Sequence, residues 1–132
     1  MKKEILICNI IIWGLFLLFS GSCKKSSDYN RPGVTTSPVT EVTSNSAMVG
    51  GSVINDQGEV IFERGICYST HHPTINDSKI VVPGGMWEFN CKLSGLSPNT
   101  RYFVRAYATL RHEDINNTGT GYGKMLSFIT LP

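Results

Sequence analysis

From residue 34 onward, apolar and polar positions alternate in short runs broken by Gly, Pro, Asn and Asp. A period of two gives a strand two unlike faces, whereas a helix returns to the same face every three to four residues. No window carries a convincing helical period with caps. The clearest run is 101–110, where Tyr102, Val104, Ala106 and Ala108 alternate with Phe103, Arg105, Tyr107 and Thr109. The same pattern predicts strands over 39–43, 46–53, 60–69, 80–82, 86–93 and 122–131. Asn55-Asp56-Gln57-Gly58 and Pro83-Gly84-Gly85 have the composition of tight turns. About seven short strands separated by such signals indicate an all-β antiparallel sandwich.

The N-terminus follows a different pattern. Met1-Lys2-Lys3 is basic, and residues 5–19 are apolar apart from Asn9 and Gly14. A basic start, an apolar stretch of roughly 15 residues and a run of small residues make a secretory signal, assigned here to residues 1–22. The stretch is short for a membrane-spanning helix, which needs about 20 apolar residues. Ser20-Gly21-Ser22-Cys23 resembles a bacterial lipobox, although an aliphatic residue is more usual where Ser20 stands. Cys23 is therefore the expected lipidation site. Acyl chains contribute about 0.8 kcal/mol per buried methylene, so several on one Cys hold a protein to a membrane without a spanning helix. Residues 23–33 read as the lipidated Cys and a polar tether, and 34–132 as the domain.

Charge and cysteines narrow the classes further. The net charge of +2 is near neutral, and Lys2, Lys3, Lys24 and Lys25 lie outside the domain. No basic stripe remains to follow a phosphate backbone, so nucleic acid is not an expected partner. Cys8 leaves with the signal. Cys67 and Cys91 remain in an exported domain, where an oxidising compartment permits a disulfide. Such a bridge would close a loop of about 24 residues and contribute roughly 3 kcal/mol. Strand parity opposes it: Cys91 shares a face with Phe89 and Leu93, which turn inward, while Cys67 lies between Ile66 and Tyr68 and should point out. Two independent thiols are the expectation.

Leu96, Pro98 and Tyr102 form one unit. The Pro98-Asn99-Thr100 corner is followed two residues later by Tyr102, as in the tyrosine corner of immunoglobulin-like sandwiches, where the hydroxyl bonds back to the turn backbone. Together with Ser46-Ala47, Gly50-Gly51, the run 64–70, Pro73-Thr74, Asp77-Ser78, Arg105-Ala106-Tyr107-Ala108 and Gly121-Tyr122-Gly123, this resembles a fibronectin type III-like domain of the form common in cell-envelope proteins of Bacteroidetes-type bacteria. The likeness covers about 35–130. It departs from the general pattern at the second strand, where Gly51 falls near the place of a core Trp, and Tyr68 or Trp87 is expected to fill the space. The resemblance implies a binding or spacer module with no catalytic residue and no cofactor.

The remaining candidates concern contact and chemistry. The stretch Arg111, His112, Glu113, Asp114, Ile115, Asn116, Asn117 joins the last two strands and is the candidate binding loop, since loops on rigid scaffolds carry recognition. Parity sends Tyr107 outward, which makes it the candidate exposed aromatic, and sends Trp87 into the core with Phe89. His71, His72, Cys67 and Asp77 lie close in sequence but lack the spacing of a zinc site, so no metal is expected. The acids Glu59, Glu63, Asp77, Glu88, Glu113 and Asp114 are scattered over different strands and loops. The expected function is non-enzymatic: adhesion, or glycan or protein binding, by a module held in the cell envelope through its lipid, with the outer membrane favoured and the orientation open. The alternative is an envelope-associated hydrolase or an accessory subunit of one.

Overall fold

The computed structural model describes residues 31–111 and 119–132. The signal, Cys23 and residues 112–117 of the candidate loop lie outside the described residues. Eight strands follow one another: β1 (Gly33–Thr36), β2 (Ala47–Asn55), β3 (Val60–Ser69), β4 (Ser78–Val82), β5 (Phe89–Leu93), β6 (Arg101–Arg111), β7 (Thr120–Tyr122) and β8 (Leu126–Ile129). They form two antiparallel sheets. One has the order β1-β2-β5; the other runs β4-β3-β6-β7, with β8 also paired to β6. Among the described residues no helix is long and apolar enough to cross a membrane.

Alternation builds the core as the sequence implies. Ala47, Val49 and Leu93 from the smaller sheet meet Ile66, Val104, Ala106 and Phe128 from the larger, with Leu96 closing the end beneath the corner. Burying a side chain of this size contributes about 1.5–3 kcal/mol, so this interior supplies most of the drive to fold. Tyr102 stacks on Phe128 with centroids 5.9 Å apart. Its hydroxyl accepts the Ser97 amide at 2.9 Å, which is the tyrosine corner in place. Thr130, buried beside it, donates to the Ser97 carbonyl at 2.6 Å and accepts the Thr100 amide at 2.9 Å.

Several strand readings change. Residues 39–43 are not a strand; Thr40 makes only an isolated bridge to Met48. Pro38 removes a ladder donor, and Glu41 turns to φ 50°, which ends any extended run. The first strand is instead Gly33–Thr36, beginning inside the stretch read as tether, and Pro32 is buried with it. The strand read over 122–131 is replaced by two, β7 starting earlier at Thr120 and β8 at Leu126, separated by Gly123-Lys124-Met125. The break lets β1 approach: a Cβ on Gly121 would stand 2.0 Å from the Pro32 carbonyl oxygen, and one on Gly123 2.4 Å from Thr36 Oγ1. Thr36 Oγ1 also accepts the Ala106 amide at 3.0 Å, tying β1 to the opposite sheet.

Two parity expectations are corrected, because the outer face of the larger sheet is covered rather than wet: Lys79 Nζ lies 5.8 Å over the Tyr107 ring centroid and Glu63 accepts a hydrogen bond from its hydroxyl, and a loop returns beside Cys67. Tyr107, expected to be exposed, is 0% exposed, and Cys67, expected to point to solvent, is fully buried. Both do lie on the outer face, opposite Gly65 and Arg105 respectively. The β3–β4 loop folds back over that face. Arg105 Nε donates to the Pro73 carbonyl at 2.8 Å, the Ile75 amide donates to the Tyr122 hydroxyl at 3.2 Å, and the Arg105 guanidinium stands 3.7 Å from the Tyr122 ring centroid.

Candidate functional site

Four segments meet at one end of the sandwich. Gly33 pairs with Asn55, so the chain enters beside the β2–β3 turn. Val60 pairs with Arg111, which brings the start of β3 to the end of β6, where residues 112–118 depart. Val82 pairs with Arg64, which sends the 83–88 loop out at the same end. The β2–β3 turn is held by its own side chains. Asn55 Oδ1 accepts the Gln57 amide and Asp56 Oδ1 the Gly58 amide, both at 2.9 Å. Gln57 and Gly58 have φ of 57° and 74°, as a tight hairpin requires.

Among the described residues this end carries the largest share of the exposed apolar side chains. Trp87 is 79% exposed, with Met86 beside it, and Ile54, Val60 and Phe62 are exposed on the neighbouring strands. The Arg111 guanidinium lies 4.9 Å from the Phe62 ring centroid. The placement of Trp87 corrects the expectation that it packs in the core. The strand begins only at Phe89, so strand parity does not extend back to residue 87. The space beside Gly51 is taken by Phe89, its partner in register, whose Cζ lies 3.3 Å from where a Gly51 Cβ would stand. Tyr68 does pack against the core.

Arg64 organises this end from within. It is an inner-face residue at 5% exposure, a parity position two residues from Ile66. Its Nε donates to the Pro83 carbonyl at 2.6 Å and its Nη1 to the Trp87 carbonyl at 2.5 Å. The guanidinium also lies 4.9 Å from the Phe89 ring centroid. Burial lowers its pKa from the ordinary arginine value. The loop is thus fastened by its backbone to a buried cation, and the Trp87 ring is left outside. Sequence reasoning missed this residue. The signal was present, since 64, 66 and 68 share one parity and a charge in that series demands a partner.

The polar groups of the outer face are committed to one another. Tyr107 donates to Glu63 Oε2 at 2.9 Å, and Lys79 Nζ is 2.7 Å from the same oxygen. Gly65, opposite Tyr107 in register, presents no side chain to compete with the ring. The Lys79 hydrogen bond, and then that of Tyr107, hold the Glu63 carboxyl below its usual range against the opposing effect of burial. Burial, reinforced by Glu63, raises the Tyr107 phenol well above its ordinary value. His71 Nε2 is 3.6 Å from Asp77 Oδ1, and Asp77 Oδ2 accepts the Thr74 amide at 2.8 Å. Among the described residues no three His, Cys, Asp or Glu could hold a metal ion together. Cys67 and Cys91 are free thiols, donating at 3.6 Å to the Arg105 and Val49 carbonyls respectively. Desolvation raises both, Cys91 to about 11. A shallow open groove of about 450 Å³, lined by Val39, Val42, Lys124 and Leu126 among others, runs along the β8 side without an exposed aromatic.

No protein-family model matches the chain, and no curated protein matches it. Solved structures do. Two structures of the sensor domain of the anti-sigma factor RsgI4 from Pseudobacteroides cellulosolvens superpose with TM-scores of 0.52 and 0.51 at 17% and 18% identity. They cover 76% of this chain, and 94% and 75% of their own. The sixth fibronectin type III domain of human fibronectin type III domain containing protein 3 aligns at a TM-score of 0.49 and 19% identity, over 77% of this chain and 85% of that one. The fold is an immunoglobulin-like antiparallel β-sandwich, defined by its two sheets and its tyrosine corner. At these identities the likeness speaks of fold alone.

Proposed function

We propose that this chain is an exported lipoprotein, anchored through Cys23 to a bacterial envelope membrane, and that its fibronectin type III-like domain is a non-enzymatic contact module. The observation that carries the reading is the gathering of Trp87, Met86, Phe62, Val60 and Ile54 on the exposed segments of one end of a rigid sandwich. Large apolar side chains left in water on fixed loops suit a surface that is covered by something else. The outer membrane is the favoured location, and the partner is a component of the envelope, whether protein, glycan or lipid. The hydrolase alternative finds less support, because Glu63 and Asp77 are already committed to structural partners.

A photo-crosslinking amino acid in place of Trp87, compared with one in place of Ile129 at the opposite end, tests the reading in intact cells. Adducts at position 87 and none at 129 are expected. Equal adducts at both positions, or none at 87, would remove the loop end as the contact surface. Cys23→Ala in the same strain should abolish acylation of the chain; acylation that persists would reject Cys23 as the anchor.

A further inference from the structure

Among the described residues nine large apolar side chains are exposed, and five of them are the loop-end group Ile54, Val60, Phe62, Met86 and Trp87. The chain enters the fold at this same end, since Gly33 pairs with Asn55 beside the β2–β3 turn. We infer that the loop end docks onto the surface of the bilayer that holds the Cys23 lipid. The inference rests on the anchor proposed above.

The argument is one of reach. The span from Cys23 to Arg31 covers roughly 30 Å at most, whatever its conformation. The eleven residues of β6 run the length of the sandwich, about 36 Å at the rise of a strand. The anchor is therefore shorter than the domain and attached to its apolar end. That end can reach the bilayer surface while the opposite end, with Ile129 and Leu131, stands a domain length further out. A contact made by an already tethered domain is intramolecular, so a weak affinity suffices to fill it.

The side chains suit such a surface. Trp and Met enter the headgroup boundary readily, Trp because its ring is apolar while its N–H can still meet water. Arg111 beside Phe62, together with Arg31 where the chain enters, offers cations to anionic headgroups. Asp56, Glu59 and Glu88 belong to the same end. They limit the contact to interfacial depth and make burial of apolar rings, rather than charge, its driving force.

Trp87 supplies its own probe. The chain has two Trp, and the other, Trp13, leaves with the signal. The full chain is expressed, recovered from the envelope fraction and reconstituted into vesicles of phosphatidylethanolamine and phosphatidylglycerol with brominated acyl chains. Intact mass reports whether residues 1–22 are gone and Cys23 is acylated. The expected result is loss of most Trp87 emission to bromolipid and protection from iodide in the buffer. Ile129→Trp in a Trp87→Phe background should reverse both. An acylated chain whose Trp87 is quenched by iodide and untouched by bromine overturns the docking, leaves the anchor standing and assigns this end to a protein or glycan. Quenching of both positions by bromolipid overturns the orientation. A chain without acyl mass overturns anchor and docking together.

Discussion

Tyr107→Phe isolates one bond in the covered outer face. The ring and its burial remain, and only the hydroxyl that donates to Glu63 Oε2 at 2.9 Å is lost. A hydrogen bond to a charged group contributes about 1.5–3 kcal/mol. Glu63 keeps Lys79 at 2.7 Å and is 24% exposed, so the deletion leaves no buried orphan and the lower end applies. We expect a loss of about 1.5 kcal/mol at pH 7, read as a fall in urea midpoint of about 1 M for a domain of this size. Tyr107→Ala should cost about 3–5 kcal/mol, because it also opens a cavity. The pH dependence supplies the control. The folded Glu63 pKa lies below its usual value, so the stabilisation is present above the unfolded pKa of about 4.3 and is lost as pH falls through the folded value. Tyr107→Phe removes one cause of that lowering. Wild type and variant should therefore converge on acidification, toward the ~0.5–1 kcal/mol of a neutral bond. A cost that is the same at pH 7 and below pH ~3, or no cost at pH 7, would refute the carboxylate as the source.

Three other outcomes follow from the same geometry. Tyr102→Phe should lower stability by about 1 kcal/mol, a Tm shift of roughly 4–8 °C, since it removes only the bond from the Ser97 amide; an unchanged melting curve would mean that the corner is held by Thr130 alone. Arg64→Met should cost about 2 kcal/mol, the lost carbonyl contacts outweighing relief of a buried charge, and should speed amide exchange over residues 83–88; unchanged exchange there would reject Arg64 as the fastener of the loop. Desolvation raises both thiols, so in the native domain Cys67 and Cys91 should resist an aromatic disulfide reagent at pH 8 and react fully in denaturant; rapid labelling of the folded chain would contradict the packing.

Some of the architecture was legible in the chain and some was not, for identifiable reasons. Alternation in 101–110 reveals β6 because β-branched, aromatic and small residues occupy its two faces in strict order, and the Pro98-Asn99-Thr100 corner fixes where Tyr102 must turn. Parity also assigned Cys67 and Tyr107 to the outer face correctly, yet exposure was misjudged. Whether an outer face is wet depends on what covers it, here the loop held through Pro73, Ile75 and Tyr122 and the Glu63 and Lys79 side chains at Tyr107, and strand period carries no information about either. Trp87 failed for the opposite reason: a local period was extended past the point where Pro83-Gly84-Gly85 and the hold of Arg64 on the Trp87 carbonyl had already turned the backbone into a loop. At the N-terminal edge, β1 is short and is fixed by close approach to Gly121 and Gly123, contacts made some ninety residues away in sequence. The loop-end group follows the same rule. Its members come from β2, β3 and the 83–88 loop, and only pairing of Gly33 with Asn55 and of Val60 with Arg111 brings them together.

The most direct measurement is the mass of the N-terminal peptide of the protein isolated from its own envelope fraction. The account predicts a chain that begins at Cys23 and carries acyl chains on that residue. A chain that keeps Met1, or that begins elsewhere with an unmodified Cys23, would contradict the anchored module and with it the assignment of the loop end to the membrane side.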